Sequence, residues 1–200
     1  MKLNRVERWV VNNSLRVMLQ RMEMNRFRRM AALHPGATIL EIGCGRGAGG
    51  RLIMEAFQPG HLHLLDLDPR MVEKAQASLS RREKSTVFCH VGDAIRLPFR
   101  SSALDALFGF GFLHHVPEWQ AAVGEIARVL KPGGIYYMEE LYPSLYQNWL
   151  TRRILRHPPE NRFRSHDLRE TITKAGMDLK EVFEFRKVGI LGVAVKEGAP

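Results

Sequence analysis

The period of apolar residues along the chain changes at the Pro35-Gly36 turn. Before it, Leu15, Met18, Leu19 and Met22 fall at i, i+3, i+4 and i+7, which is one face of an α-helix. Asn12-Asn13-Ser14 splits this N-terminal segment into two helical pieces, with Ser14 placed to cap the second. After it, short apolar runs alternate with helical stretches. Strands are predicted at Thr38–Ile42, His61–Leu67, Thr86–Val91, Leu104–Phe110 and Ile135–Met138. Helices are predicted at Pro69–Leu79, at Glu118–Leu130 with Lys131-Pro132-Gly133-Gly134 closing it, and at His166–Ala175, ended by Gly176. Val182–Val188 and Leu191–Lys196 read as a closing antiparallel pair around Gly189. Strands alternating with helices imply right-handed crossovers and a mostly parallel sheet. Such sheets bind ligands beyond the carboxyl ends of their strands, where the strand order reverses.

Composition narrows the class. The chain has 200 residues, 45% hydrophobic and 26% charged, which suits one soluble domain with a sizeable core. No apolar run approaches the roughly 20 residues of a membrane span. Arg5, Glu7, Arg8 and Arg16 break up the apolar N-terminus, unlike a secretory signal, so a cytoplasmic protein is expected. Cys44 and Cys89 are far apart and form no Cys-x-x-Cys pair, so no metal is expected. The net charge of +9 comes largely from the first thirty residues. There Lys2, Arg5, Arg8, Arg16, Arg21, Arg26, Arg28 and Arg29 face only Glu7 and Glu23.

The first chemical signal is Glu41-Ile42-Gly43-Cys44-Gly45-Arg46-Gly47. Glycines after a strand let the backbone turn sharply and approach a ligand, and the following helix presents free N–H groups. The loop alone is ambiguous, since Gly45-x-Gly47-x-x-Gly50 also satisfies a dinucleotide fingerprint. Asp66, ending the second strand, suits the ribose of either ligand class. Three features favour a different cofactor. Glu41 is an acid just before the glycines, unsuited to a pyrophosphate and suited to a cationic amino acid. Gly92-Asp93-Ala94 puts an acceptor at a strand end, where an exocyclic amine of adenine could donate to it. No Tyr-x-x-x-Lys pair follows the fourth strand, so short-chain dehydrogenase chemistry has no residues here.

These motifs, in order, resemble the class I S-adenosylmethionine-dependent methyltransferases, and within them the ubiquinone/menaquinone-biosynthesis and small-molecule group. The stretches concerned are Ile39 to Gly47, Leu65 to Pro69 with Met71, and Val91 to Ala94 with Leu97-Pro98-Phe99. They continue through Leu104-Asp105 and Phe112 to Val116 to Ala127 to Gly134. The resemblance implies a Rossmann-like, doubly wound α/β fold. Its seven-stranded sheet would be mostly parallel with an antiparallel last strand, helices on both faces and an N-terminal helical cap. Residues 1–34 would form that cap and residues 35–200 the cofactor-binding domain.

It also implies roles for particular residues. Gly43, Cys44, Gly45 and Gly47 would form the loop beneath the methionine part of S-adenosylmethionine, with Glu41 holding its amino group directly or through water. Asp66 would accept from both ribose hydroxyls. Leu67 and Met71 would line the adenine pocket, and Gly92, Asp93 and Ala94 would meet the adenine edge. Phe110 and Gly111 would lie near the sulfonium and its methyl group. Asp68 departs from the family, which more often has a small polar residue there; it reads as a solvated loop charge. Asp105 starts its strand, away from the reacting end, and reads as structural.

Methyl transfer is an in-line displacement whose activated group comes from the cofactor. Alignment and exclusion of water can therefore carry most of the rate. A base is needed only when the nucleophile must lose a proton. His114 and His115 are the candidates, either as a base or as pocket wall.

The acceptor is narrowed by exclusion. The chain has neither an Asn/Asp-Pro-Pro-Tyr motif nor a Pro-Cys nucleophile after the fourth strand, so no DNA substrate is expected. No Lys-Asp-Lys-Glu set for ribose 2′-O methylation is present. Leu141 to Phe163 carries Tyr142, Tyr146 and Trp149 beside Arg153, which suits an anionic, aromatic or lipid-like acceptor, or else an amphipathic cap. The basic N-terminal helix suits an anionic membrane, RNA phosphates or a simple lid whose arginines lie in water. The reading favoured is transfer of a methyl group to O, C or N of a small or lipid-like molecule. An RNA or protein methyltransferase, and a non-catalytic cofactor- or partner-binding module, are the alternatives.

Overall fold

In the computed structural model, which describes residues 14–143, 162–185 and 188–198, the apolar runs become strands. They are β1 (Thr38–Ile42), β2 (His61–Asp66), β3 (Val87–Val91), β4 (Leu104–Phe110), β5 (Leu130–Leu141), β6 (Met177–Phe185) and β7 (Gly189–Lys196). The helices are α1 (Ser14–Met30), α2 (Ala48–Phe57), α3 (Pro69–Ser78), α4 (Trp119–Val129) and α5 (Ser165–Lys174). One seven-stranded sheet runs in the order β3-β2-β1-β4-β5-β7-β6. β7 lies antiparallel between β5 and β6, and the other pairings are parallel.

Two cores sandwich the sheet. On one face Met24 and Phe27 of α1, Leu52 and Ile53 of α2 and Ala75 of α3 pack on Ile39, Leu64, Phe108 and Tyr137. On the other, Val123 and Ile126 of α4 and Leu168 and Ile172 of α5 pack on Leu40, Leu107 and Tyr136. β1 is an interior strand, covered on both faces, which is why it reads as an almost unbroken apolar run. The strand order reverses between β1 and β4: β2 and β3 extend the sheet to one side of β1, and β4 and β5 to the other. Ligands of such sheets bind at that point.

The structure settles three points that the sequence left open or placed differently. The apolar stripe of α1 does not face the core: Met18, Leu19 and Met22 are exposed, and Gln20, Met24 and Phe27 are buried instead. The helix is rotated so that the Phe27 ring meets the aromatic layer of Phe108, Phe110 and Tyr137. Second, Lys131-Pro132-Gly133-Gly134 does not separate helix from strand. It is a bulge inside β5, where pairing with β4 jumps from Leu104–Leu130 to Ala106–Ile135. Third, β6 spans Met177–Phe185, not 182–188. It is an edge strand whose outward positions carry Asp178, Glu181 and other polar residues, which hid its first half. The first helical piece of the N-terminus lies outside the described residues. Among the described residues, no helix is long and apolar enough to cross a membrane.

Candidate functional site

β1 delivers its last residues to the switch point, and the glycine loop is then stitched to β2. The N–H groups of Gly43 and Cys44 both donate to the Leu65 carbonyl, at 2.8 and 3.1 Å. Gly43 has φ +72°, and a Cβ there would stand 3.1 Å from Cβ of Phe112, so both conformation and space call for glycine. The Gly45 N–H donates to Oδ2 of Asp66 at 2.9 Å, and the Asp68 N–H to Oδ1 at 2.8 Å. Each oxygen still has a second lone pair, so the anchored carboxylate can accept two further donors. Burial raises the Asp66 pKa, and the N–H donors work against that rise. Asp68 is not a loop charge: its side chain accepts from the Arg70 N–H and caps α3.

Glu41 is the fourth residue of β1 and lies buried beneath the first turn of α2. Room for it comes from two glycines. A Cβ on Gly49 would sit 2.1 Å from Glu41 Oε1, and one on Gly50 3.2 Å from Oε2. That Oε2 atom is buried and makes no hydrogen bond. Burial, with the like charge of Asp66, pushes the Glu41 pKa up to about 8, while the Gly50 N–H works the other way. A buried acid with an unmatched oxygen is poised for a cationic donor.

The remaining strands supply the other walls. Past β3, Asp93 Oδ1 accepts from the Ile95 N–H at 3.2 Å, closing a turn that holds Asp93 and Ala94 at the rim. Past β4, the Gly111 N–H donates to the Glu139 carbonyl at 2.7 Å. The chain then enters a short 3-10 turn, Leu113–His115. Glu140, fully buried on β5, organises that turn. Its Oε1 accepts from the N–H groups of Phe112 (3.1 Å) and Leu113 (2.8 Å), and its Oε2 lies 2.9 Å from Nδ1 of His114.

These pieces enclose a cavity of about 400 Å³ at the switch point, within the range of small-ligand sites. Of the residues singled out in the sequence, Glu41, Gly43, Cys44, Gly45, Asp66, Leu67, Met71, Gly92, Asp93, Ala94, Phe110, Gly111 and His115 line it. Gly47 does not: it starts α2 with φ +82°, turned toward Ala75 and Leu64. Nor does His114, whose ring is held by Glu140 in the protein interior. Tyr142 is also elsewhere, buried in the second core with its hydroxyl donating to Glu184 Oε1 at 2.8 Å. Tyr146, Trp149 and Arg153 lie outside the described residues.

Residues 40–138 match the family model of a methyltransferase domain. This span is a domain of the class I S-adenosylmethionine-dependent methyltransferases. The matched segment runs from the middle of β1 through the glycine loop, Asp66, Asp93 and the His114-His115 turn into β5. A sterol 24-C-methyltransferase of Gibberella zeae is 32% identical over 118 residues, covering 58% of this chain and 31% of that protein. A demethylmenaquinone methyltransferase of Lactococcus lactis is 35% identical over 113 residues, covering 55% of this chain and 44% of that protein. The chain thus spans less than half the length of these relatives. In fold, it superimposes on the methyltransferase solved in complex with the Haloferax volcanii Trm112 methyltransferase activator. The TM-score is 0.78 at 20% identity, with 96% of each chain covered.

The cavity is also lined or shaped by residues that the sequence did not single out. Gln20 of α1 lines the cavity, so the N-terminal helix is its roof. Gly49 and Gly50 shape the Glu41 pocket; Gly50 stands in the sequence only as part of a dinucleotide fingerprint, and Gly49 had its signal in a run of glycines longer than the loop required. Glu140 had a signal too, as one of two adjacent acids, Glu139 and Glu140, in a buried stretch of β5. Among the described residues, no group of three metal-ligating side chains converges.

Proposed function

We propose that this methyltransferase domain transfers the methyl group of S-adenosylmethionine to O, C or N of a small or lipid-like acceptor. The observation that carries the reading is the pairing, in one cavity, of a buried and a half-buried carboxylate with an apolar wall. Glu41 and Asp66 are the carboxylates; Phe110, Phe112 and Val116 form the wall, with His115 and Gln20 beside them.

The residues fit the cofactor. The unmatched Oε2 of Glu41 suits the amino group, and the spare lone pairs of Asp66 suit a vicinal diol. Leu67, Met71, Asp93 and Ala94 would hold the adenine, and Gly43, Cys44 and Gly45 would support the methionine part. When bound, S-adenosylmethionine supplies the activated methyl group. The chain contributes alignment and a dry wall at Phe110 and Gly111. Where an acceptor must lose a proton, His115 is the imidazole on the cavity wall. His114, tied to Glu140, would act as the fixed support of that turn.

The test is transfer of a radiolabelled methyl group into fractionated cell extract. Label is expected in the lipid or small-molecule fraction. Label only in RNA or protein would overturn the acceptor class. Absence of any transfer by protein that binds S-adenosylhomocysteine would overturn catalysis.

A further inference from the structure

The stripe Met18, Leu19 and Met22, legible in the sequence as one helix face, points away from the fold. Met18 is 55% exposed, Leu19 42% and Met22 62%. A second group of exposed apolar residues stands at the edge of the sheet: Phe183 at 37%, Phe185 at 60% and Val188 at 42%. Phe183 and Phe185 pack edge to face, with centroids 4.7 Å apart. The Arg26 guanidinium lies 3.8 Å above the Phe183 ring. Arg26 is one turn along α1 from Met22, so helix and strand edge share one surface. Every exposed charged side chain among residues 18–30 is an arginine: Arg21, Arg26, Arg28 and Arg29. Glu181 is the acid on the same face of β6, and Glu55 meets Arg21 on the exposed flank of the helix.

From this juxtaposition we infer that α1 and the β6–β7 edge form a docking surface for the interface of an anionic lipid bilayer. Exposed methionines and phenylalanines would enter the headgroup boundary, and the arginines around them would meet lipid phosphates. RNA would use the arginines but leave the apolar stripe unmatched. The opposite side of α1 carries Gln20, which lines the cofactor cavity. Since a helix is about 10 Å across, a bilayer on its outer face would bring lipid close to the roof of the site. The inference stands on this surface and does not need methyl transfer, so either reading can fail alone.

The experiment is co-sedimentation of the full chain with vesicles of phosphatidylcholine alone or with 30% phosphatidylglycerol. Binding is expected to the anionic vesicles, at least tenfold weaker to neutral ones, and reduced several-fold by 0.5 M salt. The surface variant Met22→Glu/Phe185→Glu should lose at least tenfold in vesicle binding. Its S-adenosylhomocysteine affinity by calorimetry should be unchanged, which shows that it is folded. Three results would overturn the inference. One is no binding of the unmodified chain to anionic vesicles. Another is equal binding by the variant. The third is preferential binding of RNA that vesicles do not displace. A concentration-dependent dimer in ultracentrifugation that the variant abolishes, without vesicle binding, would assign the surface to a second copy instead.

Discussion

Glu41 and the two glycines above it carry the most chemistry per residue. Burial holds Glu41 at a pKa of about 8 against an ordinary 4.5, so the folded state favours its neutral form. Its contribution to stability is therefore full below about pH 4.5 and is lost as pH rises through about 8. A cationic ligand reverses the preference, because it needs the ionised acid. Calorimetry of S-adenosylhomocysteine at pH 7 in buffers of different ionisation enthalpy should show release of about one proton, absent in Glu41→Gln. A proton count that Glu41→Gln leaves unchanged would assign the release to another group. Gly49→Ala is a second test at this scale. In an exposed helix interior the change would add about 0.5–1 kcal/mol of stability. Here the new Cβ meets the Glu41 carboxylate, so we expect lower stability and at least tenfold weaker binding. Thermal melts and the same titration check it. Asp66→Ala should weaken binding by about 1–3 kcal/mol through lost charge-assisted hydrogen bonds.

At the scale of elements, two acids fix how strands present the site. Asp105, at the start of β4, accepts from the Thr38 N–H at 2.8 Å and from Lys131 Nζ at 2.6 Å. It thereby ties the start of β1 to the β5 bulge. Burial pushes its pKa up, but the hydrogen bonds from Lys131, Thr38 and His34 outweigh that and leave it lowered. Its contribution should be present at neutral pH and fade in acid. Asp105→Ala should cost about 1–3 kcal/mol in denaturant unfolding at pH 7, with little effect on cofactor affinity. Glu140 performs the equivalent task at the reacting end, where three donors converge on one buried carboxylate. Glu140→Ala should cost about 3–5 kcal/mol, because it leaves two buried N–H groups without an acceptor. Sequence reasoning marked Asp105 as structural and missed Glu140. The difference is register. Asp105 begins a strand, where a polar residue has local meaning, whereas the turn that Glu140 holds comes from another part of the chain.

At the scale of the whole molecule, the cavity exists only because β1, β2, β3 and β4 end on the same side of one sheet. Ligand binding should therefore stabilise the fold as a unit. S-adenosylhomocysteine at about 100 times its Kd should add roughly 2.7 kcal/mol to unfolding, seen as a rise in Tm. A chain that binds but shows no rise would mean that the site orders independently of the core.

The sequence by itself determined the sheet, the glycine turn and most of the cavity wall. Those features are local: apolar period, turn chemistry and an acid at a strand end each act within a few residues. It also determined the family, since the ordered motifs run from β1 into β5. Tertiary structure alone decided which side of α1 faces inward. Two apolar stripes were available, and packing against Phe108, Phe110 and Tyr137 selected the one bearing Phe27. It likewise decided between His114 and His115. Adjacent residues on a tight turn point in different directions, and a carboxylate 26 residues further along the chain takes the first and leaves the second on the cavity wall.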